Sequence, residues 1–109
     1  MKITDKCKED FEKYLTDSGM LLSITGYDDF RLFHKLPMSV RYIIINDFFY
    51  LKGVIIDNRV VSSEYSQCVI HVYGSSFLDS GFFGTELEVR DYAINTCNKY
   101  YNKVDGEFG

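Results

Sequence analysis

The chain has no tryptophan, a single proline and only two histidines, and these shortages close off several chemistries. His34 and His71 stand far apart, and no two of the three cysteines, Cys7, Cys68 and Cys97, fall within four residues of each other. Neither an HExxH nor a calcium-loop pattern occurs, so metal binding has no clustered ligands. Asp28-Asp29 with His34 comes nearest, and those acids read more simply as the start of a short helix. An odd cysteine count without a close pair suits a reducing compartment, and each thiol lies on an apolar stripe, where burial leaves it inert. Ser75 and Ser76 lack the G-x-S-x-G frame of a nucleophile elbow, and no glycine-rich phosphate loop is present. The sequence thus points away from an enzyme and implies neither metal nor cofactor.

Long apolar runs are also missing. Nothing approaches the length needed to span a bilayer, and Met1-Lys2-Ile3-Thr4 leads straight into charged residues, so no signal peptide and no membrane partner are expected. Positive charge is in short supply: twelve Lys and Arg face sixteen Asp and Glu, for a formal net charge of −4. The basic residues are scattered without forming a stripe, which disfavours direct nucleic-acid binding.

What is present is a domain-sized apolar fraction. A chain of 109 residues with 46% hydrophobic content makes one domain whose core needs neither metal nor disulfide. The organising stretch is Leu36–Ile56, LPMSVRYIIINDFFYLKGVII, which holds the only proline and the longest apolar run. As a helix it has Pro37 in its first turn and Gly53 past its end; as a strand, only the β-branched Tyr42–Ile45 segment speaks for it. Fifteen residues without a breaker are long for a strand, so a helix is expected. Its stripe runs through Val40, Ile43, Ile44, Asp47, Phe48 and Leu51. Tyr42, Ile45 and Phe49 fall beside or opposite it, which implies cover on more than one side.

Around this centre, residues Asp5–Asp17 read as an amphipathic helix ended by Ser18-Gly19. Met20–Ile24 reads as a strand or extended linker, and Asp28–His34 as a short helix closed off by Pro37. Val54–Val61 and Gln67–Tyr73 read as strands joined by the polar loop Ser62–Ser66, with Asp57-Asn58 as an alternative turn that would split the first. A third short strand is expected around Phe77 or Phe82-Phe83. Thr85 with Glu88 has the form of a capping box opening a last helix. Val89, Ala93, Cys97, Tyr100 and Val104 form its apolar stripe, Ile94 and Tyr101 flank it, and Glu88, Asp91, Asn95, Asn98, Lys99 and Asn102 lie on the far side. Residues 104–109 read as a flexible tail. The fold class is α+β: N-terminal helices, a central apolar helix, a short antiparallel sheet of two or three strands and a C-terminal helix.

Nine tyrosines in so small a domain cannot all be interior, because a buried phenol needs a hydrogen-bond partner. Those left outside favour an interaction surface, since aromatic anchors dominate interface energetics. The candidate docking residues are Glu64 and Tyr65 on a loop tip, His71 and Tyr73 on the mixed face of a strand, and Glu88, Asp91, Tyr92 and Lys99 on the last helix.

Two blocks, FHKLPMSVRYIIINDFFYLKGVII at Phe33–Ile56 and FFGTELEVRDYAINTCNKYYN at Phe82–Asn102, cover about two fifths of the chain. Together they resemble small accessory proteins of tailed bacteriophages and prophages. Leu36-Pro37, Asp47-Phe48-Phe49 and Tyr101-Asn102 match the pattern, while Glu86 stands where those proteins often carry a basic residue. The resemblance implies an anti-defence protein such as an anti-CRISPR, acting in the host bacterial cytoplasm as a monomer or homodimer. Its partner would be a host protein or ribonucleoprotein complex, such as an RNA-guided nuclease whose basic channel an acidic surface can occupy. Two other classes stay open: a double-stranded-RNA-binding-like module, and a nucleotide-signal sponge with Arg41, Arg59 or Arg90 converging on a pocket.

Overall fold

A computed structural model describes residues 2–73 and 78–107. The elements follow the order α1 (Asp5–Asp17), α2 (Met20–Thr25), a 3₁₀ helix (Phe30–Lys35), α3 (Met38–Leu51), β1 (Val54–Val60), β2 (Ser66–Val72), β3 (Leu78–Gly84) and α4 (Glu86–Lys103). The chain is thus an α+β domain with a central apolar helix and a closing C-terminal helix. The strands form one antiparallel sheet in the order β1-β2-β3. Val54 pairs with Val72 and Val60 with Ser66, while β2 pairs Ser66 with Gly84 and slips register between Cys68 and Ile70 on its way along β3. No turn interrupts β1 at Asp57-Asn58. Of the two centres considered for the third strand, Phe82-Phe83 lie in β3, and Phe77 is outside the described residues.

Alternation fixes which face of the sheet is inside. Val54 on β1 and Cys68, Ile70 and Val72 on β2 are buried, and His71 points the other way and is exposed. Helix α4 lies against all three strands, α3 packs on β1 and α4, and α1 covers both helices. Where these layers meet, Phe48 is ringed by Phe11, Tyr14, Phe49 and Tyr101, at centroid distances of 5.3, 5.5, 5.2 and 5.7 Å.

Helix α3 ends as expected, with Gly53 at φ 86°, a left-handed geometry that costs glycine no Cβ clash. Its buried face is not the expected one. Tyr42, Ile44, Ile45, Phe48 and Phe49 are buried, whereas Ile43 and Leu51 are each 66% exposed, so the inward face is rotated by roughly a third of a turn. The reason is the double cover that the sequence implied. Tyr42 turns towards β1, where the Asn58 side-chain amide donates to its hydroxyl at 2.6 Å, and Asp47 turns towards α1, accepting from the Tyr14 hydroxyl at 2.6 Å.

Two further expectations are corrected. Met20–Ile24 is neither strand nor linker but most of helix α2, bracketed by Gly19 and Gly26, with Leu21 buried; six residues are too few to display a period. Of the asparagines expected on the far side of α4, Asn95 is exposed, but Asn98 and Asn102 are half-buried. All three receive the chain's N-terminal segment: Lys2, Thr4 and Cys7 donate their backbone N–H groups to Asn95, Asn98 and Asn102 at 3.4, 2.9 and 2.8 Å. Asn102 also donates its amide to the Thr4 carbonyl at 3.1 Å. The N-cap Thr4 makes no side-chain cap bond to its own helix, so α4 supplies acceptors for N–H groups that a helix start leaves without partners.

From residue 104 on, the described part of the expected tail is a turn. Gly106 donates to the Tyr101 carbonyl at 2.9 Å and Glu107 to that of Val104 at 3.0 Å. A Cβ at Gly106 would come within 2.9 Å of the Tyr101 hydroxyl.

Candidate functional site

The loop between β1 and β2 is held by its own backbone. The Tyr65 carbonyl accepts from Val61 and Ser62 at 2.9 and 3.1 Å, and Ser62 Oγ accepts from the Glu64 N–H at 3.3 Å. That closure leaves Glu64 and Tyr65 on the tip, with Tyr65 55% exposed. Opposite stands the first turn of α4. Its capping box is complete: Thr85 Oγ1 accepts from the Glu88 N–H at 3.3 Å and Glu88 Oε1 accepts from the Thr85 N–H at 3.2 Å. The antiparallel pairing of Ser66 with Gly84 draws these two segments together.

Between them runs a groove of about 600 Å³ whose walls include Val60, Glu64, Tyr65, Glu86 and Glu88. Three carboxylates are answered by one guanidinium, that of Arg90, which binds Glu86 at 2.6 Å. The groove therefore carries excess negative charge beside an exposed phenol ring. Such a surface suits a lysine- or arginine-bearing partner, which gains both Coulomb attraction and a cation–π face.

Of the candidate docking residues, the fold brings Glu64, Tyr65 and Glu88 to this groove. His71 and Tyr73 lie apart, on the outer face of the sheet beside Ile55 and Asp57. Asp91 and Lys99 are exposed further along α4. Tyr92 is half-buried and packs against the core. Sequence reasoning met Glu86 as a departure from the phage pattern; its i,i+4 spacing to Arg90 was the signal that it has a fixed place. The three arginines considered for a nucleotide pocket do not converge: Arg59 binds Asp57 at 2.9 Å, Arg90 binds Glu86, and Arg41 is set among α1, the 3₁₀ helix and α3.

The thiols are buried, and burial followed by the nearby Asp10 charge pushes that of Cys7 up to about 12. Among the described residues no group of three or more His, Cys, Asp and Glu side chains is placed to hold a metal ion, and no helix is long and apolar enough to cross a membrane.

Fold and groove define a small α+β domain presenting an acidic, aromatic cleft. No family model, curated protein or solved structure matches this chain.

Proposed function

We propose that the chain is an inhibitor that binds a bacterial defence component, a CRISPR RNA-guided nuclease being the class implied by the phage resemblance, and blocks a positively charged surface on it. The observation that carries this reading is the groove in which Glu64, Glu86 and Glu88 converge beside Tyr65. A cleft of this charge presents carboxylates where a nucleic acid would present phosphates, and it excludes the nucleic acid by occupying the same cations. The readings as an RNA-binding or nucleotide-binding module draw less support, because Arg31, Arg59 and Arg90 are each engaged by a carboxylate of this chain.

The test is target cleavage by a panel of purified nuclease complexes with and without the protein. The unaltered chain lowers cleavage by its cognate complex, and Glu64→Lys or Tyr65→Ala restores it. Unchanged cleavage across the panel would overturn the reading.

A further inference from the structure

Strand β1 lies at the edge of the sheet, paired with β2 alone, and its ladder tells which backbone groups are left over. Tyr73 donates to the Gly53 carbonyl at 2.7 Å, and Val61 to that of Tyr65 at 2.9 Å. Residues 53, 55, 57, 59 and 61 therefore turn their N–H and C=O groups towards β2, because the direction alternates along a strand. Those of Ile56, Asn58 and Val60 face the open side, where no backbone group of the described residues meets them. Native edges are guarded by proline, lysine or a bulge. β1 carries none of these: its sequence is VIIDNRV and its pairing with β2 runs without a register shift.

The side chains of this edge are arranged symmetrically about Asn58. Before it come Ile55, Ile56 and Asp57, and after it Arg59, Val60 and Val61, so that two apolar residues and an acid are mirrored by a base and two apolar residues. The apolar members reach solvent, Ile55, Val60 and Val61 being 43%, 81% and 58% exposed. A second copy laid antiparallel with Asn58 opposite Asn58 answers every one of them. Asp57 then stands across from Arg59 of the second copy, Ile55 from its Val61 and Ile56 from its Val60, with each pair occurring twice. Asp57 and Arg59 already bond within the chain at 2.9 Å, and the pairing extends this bond into a ring of four charges alternating in sign. Facing residues must both turn their bonding groups to the junction or both turn them away, so the neighbouring registers are centred on Asp57 and on Arg59. Each sets that charge against its own copy, which is destabilising.

We propose that the chain binds a second copy of itself through β1, edge to edge and antiparallel about Asn58, forming a symmetric dimer with one continuous six-stranded sheet. An edge that pairs with itself is used up on both sides, so assembly through it closes at two copies. Ile56, Asn58 and Val60 of the two chains exchange about six main-chain hydrogen bonds. One strand pair is a small interface, and the dissociation constant is on the order of 100 µM.

The test is sedimentation of the full chain from about 10 µM to about 1 mM, a range that brackets such an affinity. The monomer gives way to a dimer, and the amide hydrogens of Ile56, Asn58 and Val60 exchange more slowly at the upper end. Asp57→Arg sets like charges against each other twice and weakens the dimer about tenfold, although it moves the formal charge of each copy from −4 to −2 and so lessens their general repulsion. Arg59→Asp weakens it as well. The exchange of both, Asp57→Arg with Arg59→Asp, restores the opposite pairs and returns the affinity to within about twofold. Should a single reversal fail to fold, Val60→Pro decides: the N–H it removes points to the open side, so the β1–β2 ladder stays intact while the dimer is lost. A chain that stays monomeric at the upper concentration, a dimer indifferent to the charge reversals, or slowed exchange gained away from β1 would overturn the proposal.

Discussion

Asn102 illustrates how much a single amide carries here. Its Oδ1 accepts from the Cys7 N–H and its Nδ2 donates to the Thr4 carbonyl, so one side chain on α4 ties down the start of α1, 95 residues earlier in the chain. Asn102→Ala removes both bonds and should cost about 1–2 kcal/mol in urea unfolding, the range of a lost cap. Asn102→Asp keeps the acceptor and places a negative charge at a helix N-terminus, which is favourable, so it should cost less than Ala. The reverse order would show that packing rather than capping holds the segment. A second residue-scale pattern pairs phenols with carboxylates, Tyr14 with Asp47 and Tyr101 with Asp10. Burial first, and then the carboxylate, raises both tyrosines well above the ordinary phenol value. The folded chain therefore keeps these protons where the unfolded chain loses them, and stability is whole below a pH of about 10 and falls as the pH rises beyond it. Asp10 works in the opposite sense. Burial pushes its carboxyl up, but the Tyr101 hydroxyl and Lys6 outweigh that and hold it below the ordinary value. Its contribution is present above a pH of about 3.9 and is lost as the pH falls through and below that value. Tyr101→Phe should thus flatten the alkaline limb of stability measured by urea melts across pH. An unchanged alkaline slope would mean that the phenol is solvated.

At the scale of the element, α3 sets the interior, and its rotation makes a sharp test. Phe48 touches four other aromatic rings, so Phe48→Ala should cost about 3–5 kcal/mol. Leu51 lies on the face that periodicity favoured yet is mostly exposed, and Leu51→Ala should change stability by no more than about 0.5 kcal/mol. Comparable losses would put the expected stripe back inside. The contrast explains what the sequence made legible. The bounds of α1 coincide with those read from its one-sided stripe, and the α4 start was readable from Thr85 and Glu88, because local chemistry decides both. The phase of α3 was not readable, since a helix apolar nearly all round has no preferred face until its neighbours are known. Asn98 and Asn102 of α4 were misread for a related reason: an amide that faces water and one that caps a distant helix look alike in sequence. Of the candidate site, the Glu64-Tyr65 tip was visible as a polar loop. Its juxtaposition with Glu86 and Glu88 depends on strand pairing between distant segments, which no local pattern displays.

For the whole molecule, the arrangement of charge matters more than its sum. Lys6, Arg31, Arg59 and Arg90 are spent on carboxylates of their own segments, and this leaves the negative excess uneven, with the Glu64 and Glu88 groove among its unanswered parts. If position decides docking, two substitutions with the same charge change must differ. Glu64→Lys and Glu107→Lys each move the formal charge from −4 to −2, but Glu64 lines the groove and Glu107 sits in the turn after α4. An oligolysine peptide titrated into the unaltered chain should shift the amides of residues 60–66 and 84–88, and weaken as salt shortens the screening length to about 8 Å at physiological strength. Glu64→Lys should lower that affinity by a factor of about two to five, the scale of an exposed charge pair, while Glu107→Lys leaves it within experimental scatter. Equal losses from the two would mean that the peptide reads net charge alone, and the groove would then have no claim to being a docking site.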